Sequence, residues 1–205
     1  GWSRNVLSIQ IQSDLYARDG KSINNFKSTL PAAQSDLAQS IIKDPYNLEF
    51  LDIQGKIHER ELEGKLIDHI RNFLLELGQG FAFIGNQYHI ELEGEDYYLD
   101  LLFYHVKLKC YVVIELKTGK FKPEHAGKMN FYLNLMDRQV KDSSDNPTIG
   151  LILCEDKKGI TVEYAIEGIN KPMGISQFKL TEKLPKQLKQ YLPTAEELTK
   201  LVEDK

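Results

Sequence analysis

The sequence predicts an α/β fold built on one mixed central sheet, and three observations lead there. Residues 97–119 (YYLDLLFYHVKLKCYVVIELKTG) are rich in β-branched and aromatic side chains on both sides of a short polar reversal, the composition of two strands joined head to tail. Apolar residues recur at helical spacing on either side of that ribbon, over 59–77 before it and from 123 to about 140 after it. Residues 148–154 form a short apolar run reached through the second of these helices. A strand–helix–strand connection implies parallel pairing with a right-handed crossover. The predicted order is helix, three antiparallel strands, helix, parallel strand, with further helices at both ends.

At 205 residues, with 41% hydrophobic and 27% charged residues, the chain suits one good-sized domain with an appendage. A net charge of −4 gives no overall pull toward a polyanion, so a nucleic-acid partner would need a local basic patch. Both cysteines, Cys110 and Cys154, sit in apolar strand-like runs and read as buried reduced thiols, which suits a cytoplasmic location. No apolar run approaches the ~20 residues of a membrane span, and no signal peptide is visible. The opening Gly-Trp, without Met, is what a piece of a longer protein is expected to show.

In chain order, residues 2–16 carry Trp2, Val6 and Ile9 at helical spacing, with Asp19-Gly20 as a stop. Pro31 suits a first helical position, and 32–43 reads as a helix ended before Asp44-Pro45. Residues 1–50 are therefore expected to be a helical segment that belongs to another domain, or clasps either the main domain (51–205) or a second subunit. Its apolar residues need a cover that so short a segment can hardly supply, so a homodimer is expected. The strongest helix covers 59–77 and stops at Gly78, with Leu62, Leu66, Ile70, Phe73 and Leu77 as its buried stripe. Glu61 shares the solvated face with Lys65, Asp68 and Asn72. Glu63 lies in line with Ile67, Ile70 and Leu74, on the flank of the apolar face, from which a carboxylate can reach inward. Residues 81–84 and 88–92 are strand-like. The second strong helix, opened by Pro123, presents Ala126, Met129, Tyr132 or Leu133, Met136 and Val140. Residues 160–166 and 175–180 are expected to extend the sheet, and 185–192 and 193–203 to form peripheral helices.

Three charges stand inside the apolar ribbon: Asp100, Glu115 and Lys117. Strand alternation puts Tyr111, Val113, Glu115 and Lys117 on one face, and Val112, Ile114 and Leu116 on the other. If the reversal is centred between Lys107 and Leu108, Asp100 falls directly opposite Glu115, with Cβ atoms about 4.5–5.5 Å apart. Two carboxylates so close repel, unless one is protonated or a cation sits between them. Mg²⁺ and Mn²⁺ take oxygen ligands and fit that need. The segment HVKLKC carries no Asn-Gly or Asp-Gly turn signal, and a one-residue bulge would break the pairing.

Asp100 followed by Glu115-Leu116-Lys117 resembles the D…(D/E)-x-K signature of the PDDEXK nuclease superfamily. The surrounding IELKTGKFKPEHAGKMNFYLNLMD and DNPTIGLILC look like the C-terminal nuclease domain of the bacterial YhcG-like family, over roughly residue 51 to the C-terminus. WSRNVLSIQIQSDLYARDG and LPAAQSDLAQSIIKDPYNLEFL look like the tail of that family's N-terminal helical domain. The resemblance implies a restriction-endonuclease-like α-β-β-β-α-β core and metal-dependent hydrolysis of DNA phosphodiester bonds, in repair, recombination or defence against foreign DNA. It implies Asp100, Glu115 and the Leu116 carbonyl as ligands of Mg²⁺ or Mn²⁺, and Lys117 as the cation beside the reacting phosphate. Glu63, with Glu59 as fallback, matches the additional metal-site acid that the first helix often supplies. Lys120, Lys122 and Lys128 could hold flanking phosphates, or simply be a solvated face. Tyr132 could face the site, although core packing is its plainer role. His58, His69, His89, His105 and His125 show no zinc spacing, and no P-loop, GxSxG or dinucleotide fingerprint is present. The alternative reading is a nuclease-like fold serving as a nucleic-acid-binding or assembly module.

Overall fold

The computed structural model describes residue 11, residues 14–53 and residues 55–180. The helices expected over 185–192 and 193–203, and most of that over 2–16, lie outside the described residues. The described chain opens with a one-turn helix α1 (Leu15–Arg18), strand β1 (Ile23–Asn24), short helix α2 (Phe26–Thr29), helix α3 (Ala32–Ile41) and strand β2 (Tyr46–Asn47). Helices α4 (Glu59–Asp68) and α5 (Ile70–Leu77) lead into strands β3 (Phe81–Leu92), β4 (Glu95–His105) and β5 (Cys110–Lys120). Helix α6 (Pro123–Leu135), strand β6 (Ile149–Asp156), helix α7 (Gly159–Ile166) and strand β7 (Met173–Lys179) follow, with a 3-10 turn at Glu49–Leu51 after β2 and a π-helical turn at Met136–Val140 continuing α6. The sheet runs β1-β7-β6-β5-β4-β3, with β2 pairing β7 beside that path. Strands β3, β4 and β5 pair antiparallel, then β6 and β7 add in parallel, which is the predicted order.

Alternation along the strands sorts the apolar side chains into two cores, one on each face of the sheet. Val112, Ile114 and Leu116 of β5 join Leu101 and Phe103 of β4, under Leu62, Leu66 and Phe73 of the first helix pair. Val113 joins Leu102 and Ile152 on the opposite face, under Met129 and Leu133 of α6. Gly150 lets α6 come close: a Cβ there would stand 2.6 Å from Met129 Cγ and Sδ. That close approach brings the middle of α6 down beside the end of β5.

Three expectations change. The helix over 59–77 is two helices, because His69 leaves helical geometry (φ −112°, ψ 28°) and its Nδ1 lies 3.0 Å from the Lys65 carbonyl oxygen. Residues 160–166 are helix α7 and not a strand. Val162 and Ile166, one helical turn apart, are buried, while Ile160 and Tyr164 face outward. Their β-branched and aromatic content suggested a strand, but two parallel neighbours, β6 and β7, require a crossover between them. The two runs at 81–84 and 88–92 are one strand, whose register against β4 shifts between Phe83 and Gly85.

Residues 18–51 are woven into the same sheet. β1 pairs antiparallel and β2 parallel to β7. Phe26, Ala38, Tyr46 and Leu48 are fully buried in the core that holds Leu62 and Phe103. A buried ionic clasp ties this segment to α5. Arg18 Nη1 lies 2.5 Å from Glu76 Oε1, which also accepts the Asn47 N–H at 2.8 Å. Lys43 Nζ is 3.8 Å from Glu76 Oε2 and donates to the Glu76 carbonyl. The cover that Phe26, Ala38, Tyr46 and Leu48 need is therefore supplied by the sheet itself, while Ile11 and Tyr16 stay exposed.

Candidate active site

The β4–β5 hairpin lacks a two-residue turn signal because groups outside the turn hold it. Val106 N–H donates to the Gly80 carbonyl (2.9 Å), and the Asn146 side-chain amide to the Leu108 carbonyl (2.7 Å). Leu108 N–H donates to Nδ1 of His105 (3.1 Å), and Lys109 takes a positive φ of 49°. The resulting register pairs Leu101 with Ile114 through His105 with Cys110, as a reversal centred between Lys107 and Leu108 requires. One residue beyond Leu101 and Ile114 stand Asp100 and Glu115, and there side chains take over from the backbone ladder. Leu116 N–H donates to Asp100 Oδ2 at 2.9 Å, and Asp100 N–H approaches Glu115 Oε1 at a long 3.4 Å. Each carboxylate thus reaches the backbone of the other strand.

Two lysines converge on this pair. Lys117 Nζ lies 2.6 Å from the Leu116 carbonyl oxygen, 3.0 Å from Glu59 Oε2 and 3.7 Å from Glu115 Oε2. Lys128, on α6, donates to Glu115 Oε2 at 2.9 Å and lies 4.9 Å from the centre of the Tyr132 ring. Glu115 is 2% exposed and its partner Lys128 45%, so the buried acid is met by a cation that still touches solvent. Burial raises the Asp100 carboxyl above the ordinary carboxylate range. Burial, and next the Asp100 charge, raise Glu115 in the same way. For Lys128 burial pulls downward, but the Glu115 carboxylate and Tyr132 outweigh it and the ammonium is held upward.

Glu63 is also buried, at the same end of the sheet. It accepts from Asn86 Nδ2 at 3.1 Å and from Gln87 Nε2 at 2.6 Å. Adjacent residues of a regular strand point to opposite faces; the bulge after Phe83 and the positive φ of Gln87 (45°) allow both amides to reach one carboxylate. Glu59, Arg60, Glu63, Gln87, Tyr98 and Asp100 together line a cavity of ≈ 470 Å³. Asp100, Glu115, Leu116, Lys117, Lys128 and Glu59 are thus gathered at one point, with Glu63 along the same cavity. Lys120 and Lys122 are not drawn in. They are exposed, 3.9 Å from Asp156 and 3.6 Å from Glu124.

The inward partnership of Lys128, and the pair Asn86–Gln87, were missed from sequence. The only signal for the first was the spacing of Lys128 one helical turn before Tyr132. Tyr132 itself is 5% exposed and packs in the α6 core, with Lys128 over its ring. His105 is buried edge-on to Phe81, and His125 accepts the Lys122 N–H at 3.2 Å at the start of α6. Among the described residues no group of three or more His, Cys, Asp or Glu is arranged to hold a metal. The donor set is two carboxylates and one backbone carbonyl. That set fits Mg²⁺, which keeps several waters and binds through one or two carboxylates plus substrate phosphate oxygens. No helix among the described residues is long and apolar enough to cross a membrane.

Residues 39–193 match the family described as the YhcG PDDEXK nuclease domain. The chain is 37% identical over 185 residues to the protein named "Putative nuclease YhcG" of Escherichia coli (strain K12). The match covers 88% of this chain and 49% of that one, so the chain spans about half the length of this curated relative. Two solved structures are similar at a TM-score of 0.38 each: a repair endonuclease from Pyrococcus abyssi (13% identity, 64% of this chain and 50% of that one) and EndoMS in its apo form (14% identity, 64% and 49%).

Proposed function

The chain belongs to the YhcG PDDEXK nuclease family, and on that premise we propose that it is a metal-dependent DNA endonuclease hydrolysing phosphodiester bonds. The observation that carries the reading is the meeting of Asp100 and Glu115 where the β4–β5 ladder ends, with Lys117 and Lys128 directed at them. PDDEXK nucleases generally use divalent metals. Asp100, Glu115 and the Leu116 carbonyl would hold Mg²⁺ or Mn²⁺ here, and Lys117 marks that place by resting its charge on the same carbonyl. Such an ion, when bound, lowers the pKa of a coordinated water and offsets charge on the phosphoryl oxygens.

The chain's own residues divide the remaining work. Lys117, held by Glu59 and Glu115, keeps a positive charge beside the reacting phosphate and stabilises the charge that builds there. Lys128 compensates Glu115 from the solvent side. Glu63 fixes Asn86 and Gln87 in the wall of the cavity. Lys120 and Lys122, exposed at the end of β5 and the start of α6, contact flanking phosphates. A role in repair, recombination or defence, a cytoplasmic location, and a homodimer that meets the two strands of a duplex complete the reading.

The deciding experiment is a cleavage assay on single-stranded, duplex and branched DNA with Mg²⁺, Mn²⁺ or EDTA. Cleavage with either ion and none in EDTA is expected. Cleavage that persists in EDTA, or none on any substrate, overturns the proposal.

A further inference from the structure

An aromatic side chain beside the carboxylates has no part in the chemistry above. Tyr98 lies two residues before Asp100 on β4, hence on the same face and roughly 7 Å along the strand. Its partner on β3 is His89, whose ring stands 5.2 Å away at 34°. His89 is fixed in turn by Asp96, with Nε2 and Oδ1 2.6 Å apart. Tyr98 is thus braced on one side, yet remains 46% exposed and lines the ≈ 470 Å³ cavity. Gln87 and Arg60 line it too. The Gln87 amide spends an N–H on Glu63 and keeps its carbonyl oxygen to accept. The Arg60 side chain makes no hydrogen bond or ion pair among the described residues.

These groups have a common use. A braced aromatic face stacks a nucleobase whatever its identity. A planar amide reads a base edge once the base has left its stack. A guanidinium without a partner suits a phosphate. The cavity volume falls within the range of small-ligand sites. A base still paired inside a duplex cannot enter a concavity of this kind.

We propose that this cavity takes one unstacked base of the substrate, laid on Tyr98 with Arg60 at its phosphate. The substrate class is then single-stranded DNA, or duplex DNA with an unpaired nucleotide beside the cut. The inference rests on the nuclease reading of Asp100 and Glu115.

The test measures binding of the whole chain, with Ca²⁺ in place of Mg²⁺, to three otherwise identical duplexes. One is fully paired, one carries a single unpaired adenosine, and one carries an abasic residue at that point. The unpaired adenosine should bind about fivefold or more tighter than either of the others. Tyr98→Ala should erase that difference and Tyr98→Phe should keep it. Equal binding of the adenosine and abasic duplexes by the wild-type chain overturns the inference without reliance on any variant. If Mg²⁺-dependent cleavage is seen and the two bind equally, the inference falls alone. If no DNA is cleaved with Mg²⁺ or Mn²⁺, the nuclease reading and the inference fall together.

Discussion

Two places in this molecule bury a glutamate between two cations, and they serve opposite ends. Glu76 is held by Arg18 and Lys43, and Glu115 by Lys117 and Lys128. At Glu76 all three side chains are under 10% exposed, and the carboxylate also accepts the Asn47 N–H. A second acid, Asp19, also feels Glu76, but Lys43 and Arg18 offset that repulsion, and the partners of Glu76 come from the N-terminal segment that it pins down. At Glu115 a second carboxylate, Asp100, stands alongside and disfavours the charge; Lys128 is half in solvent, and the cavity that Asp100 lines adjoins. The first arrangement is satisfied by two buried cations, although a cavity of ≈ 400 Å³ lined by Asp19 and Lys43 adjoins it. The second is under electrostatic tension and open on one side, which is what a site for a further cation and a substrate requires. Counting ion pairs would not separate them; the neighbours of each acid do.

Substitutions can break or sharpen this contrast. The largest effect is expected for Glu115→Ala, which removes one of two opposed acids. Mg²⁺ binding by calorimetry should vanish, and cleavage should fall by roughly 1,000-fold or more. Melting of the metal-free protein should stay nearly level, because repulsion with Asp100 is relieved and Lys128 can turn to water. Glu76→Ala should do the reverse. Breaking a buried ionic network typically costs about 3–5 kcal/mol, read by denaturant unfolding, while cleavage by the fraction still folded is retained. If Glu115→Ala unfolds the protein as badly as Glu76→Ala and leaves ion binding unchanged, the two sites are alike and the proposed function fails.

Lys117→Ala should keep Mg²⁺ binding and lose about 100-fold in turnover, since it removes a charge that acts on the developing transition state. An equal loss of ion binding would make Lys117 a prop for the carboxylates. The smallest effect is expected for Lys120→Ala with Lys122→Ala. Two exposed phosphate contacts should lower DNA affinity modestly and reduce the salt slope of binding by about 2. An unchanged slope would place both lysines on a merely solvated face.

The site was legible in the sequence to the extent that it is local. Period-two alternation put Asp100, Glu115 and Lys117 on one face, and the reversal between Lys107 and Leu108 put the acids opposite each other. What fixes that reversal was not legible, because Gly80, His105 and Asn146 hold it from outside the turn. The bulge after Phe83 was hidden for a similar reason: it shows only as a register shift against β4. Together with the positive φ of Gln87 it lets Asn86 and Gln87 share Glu63. Strands β1 and β2 are two residues each, too short to carry any periodicity, so the weaving of the N-terminal segment into the sheet could not be read. Residues 160–166 misled because local β preference was outweighed by the crossover that two parallel strands demand.

That weaving has a consequence for how the chain can be divided. The family match begins at residue 39, inside α3, although the folded unit reaches back at least to Arg18. Cutting at 39 would strip β1 from β7 and leave the N–H and C=O groups along Ile175 and Gly174 bare. It would also empty the space of the fully buried Phe26 and remove the contact of Ser22 over Gly174. A naked outer strand with an apolar hollow beneath it invites pairing with other chains. A fragment trimmed to the recognisable motif would therefore keep every residue of the chemistry and be prone to aggregate.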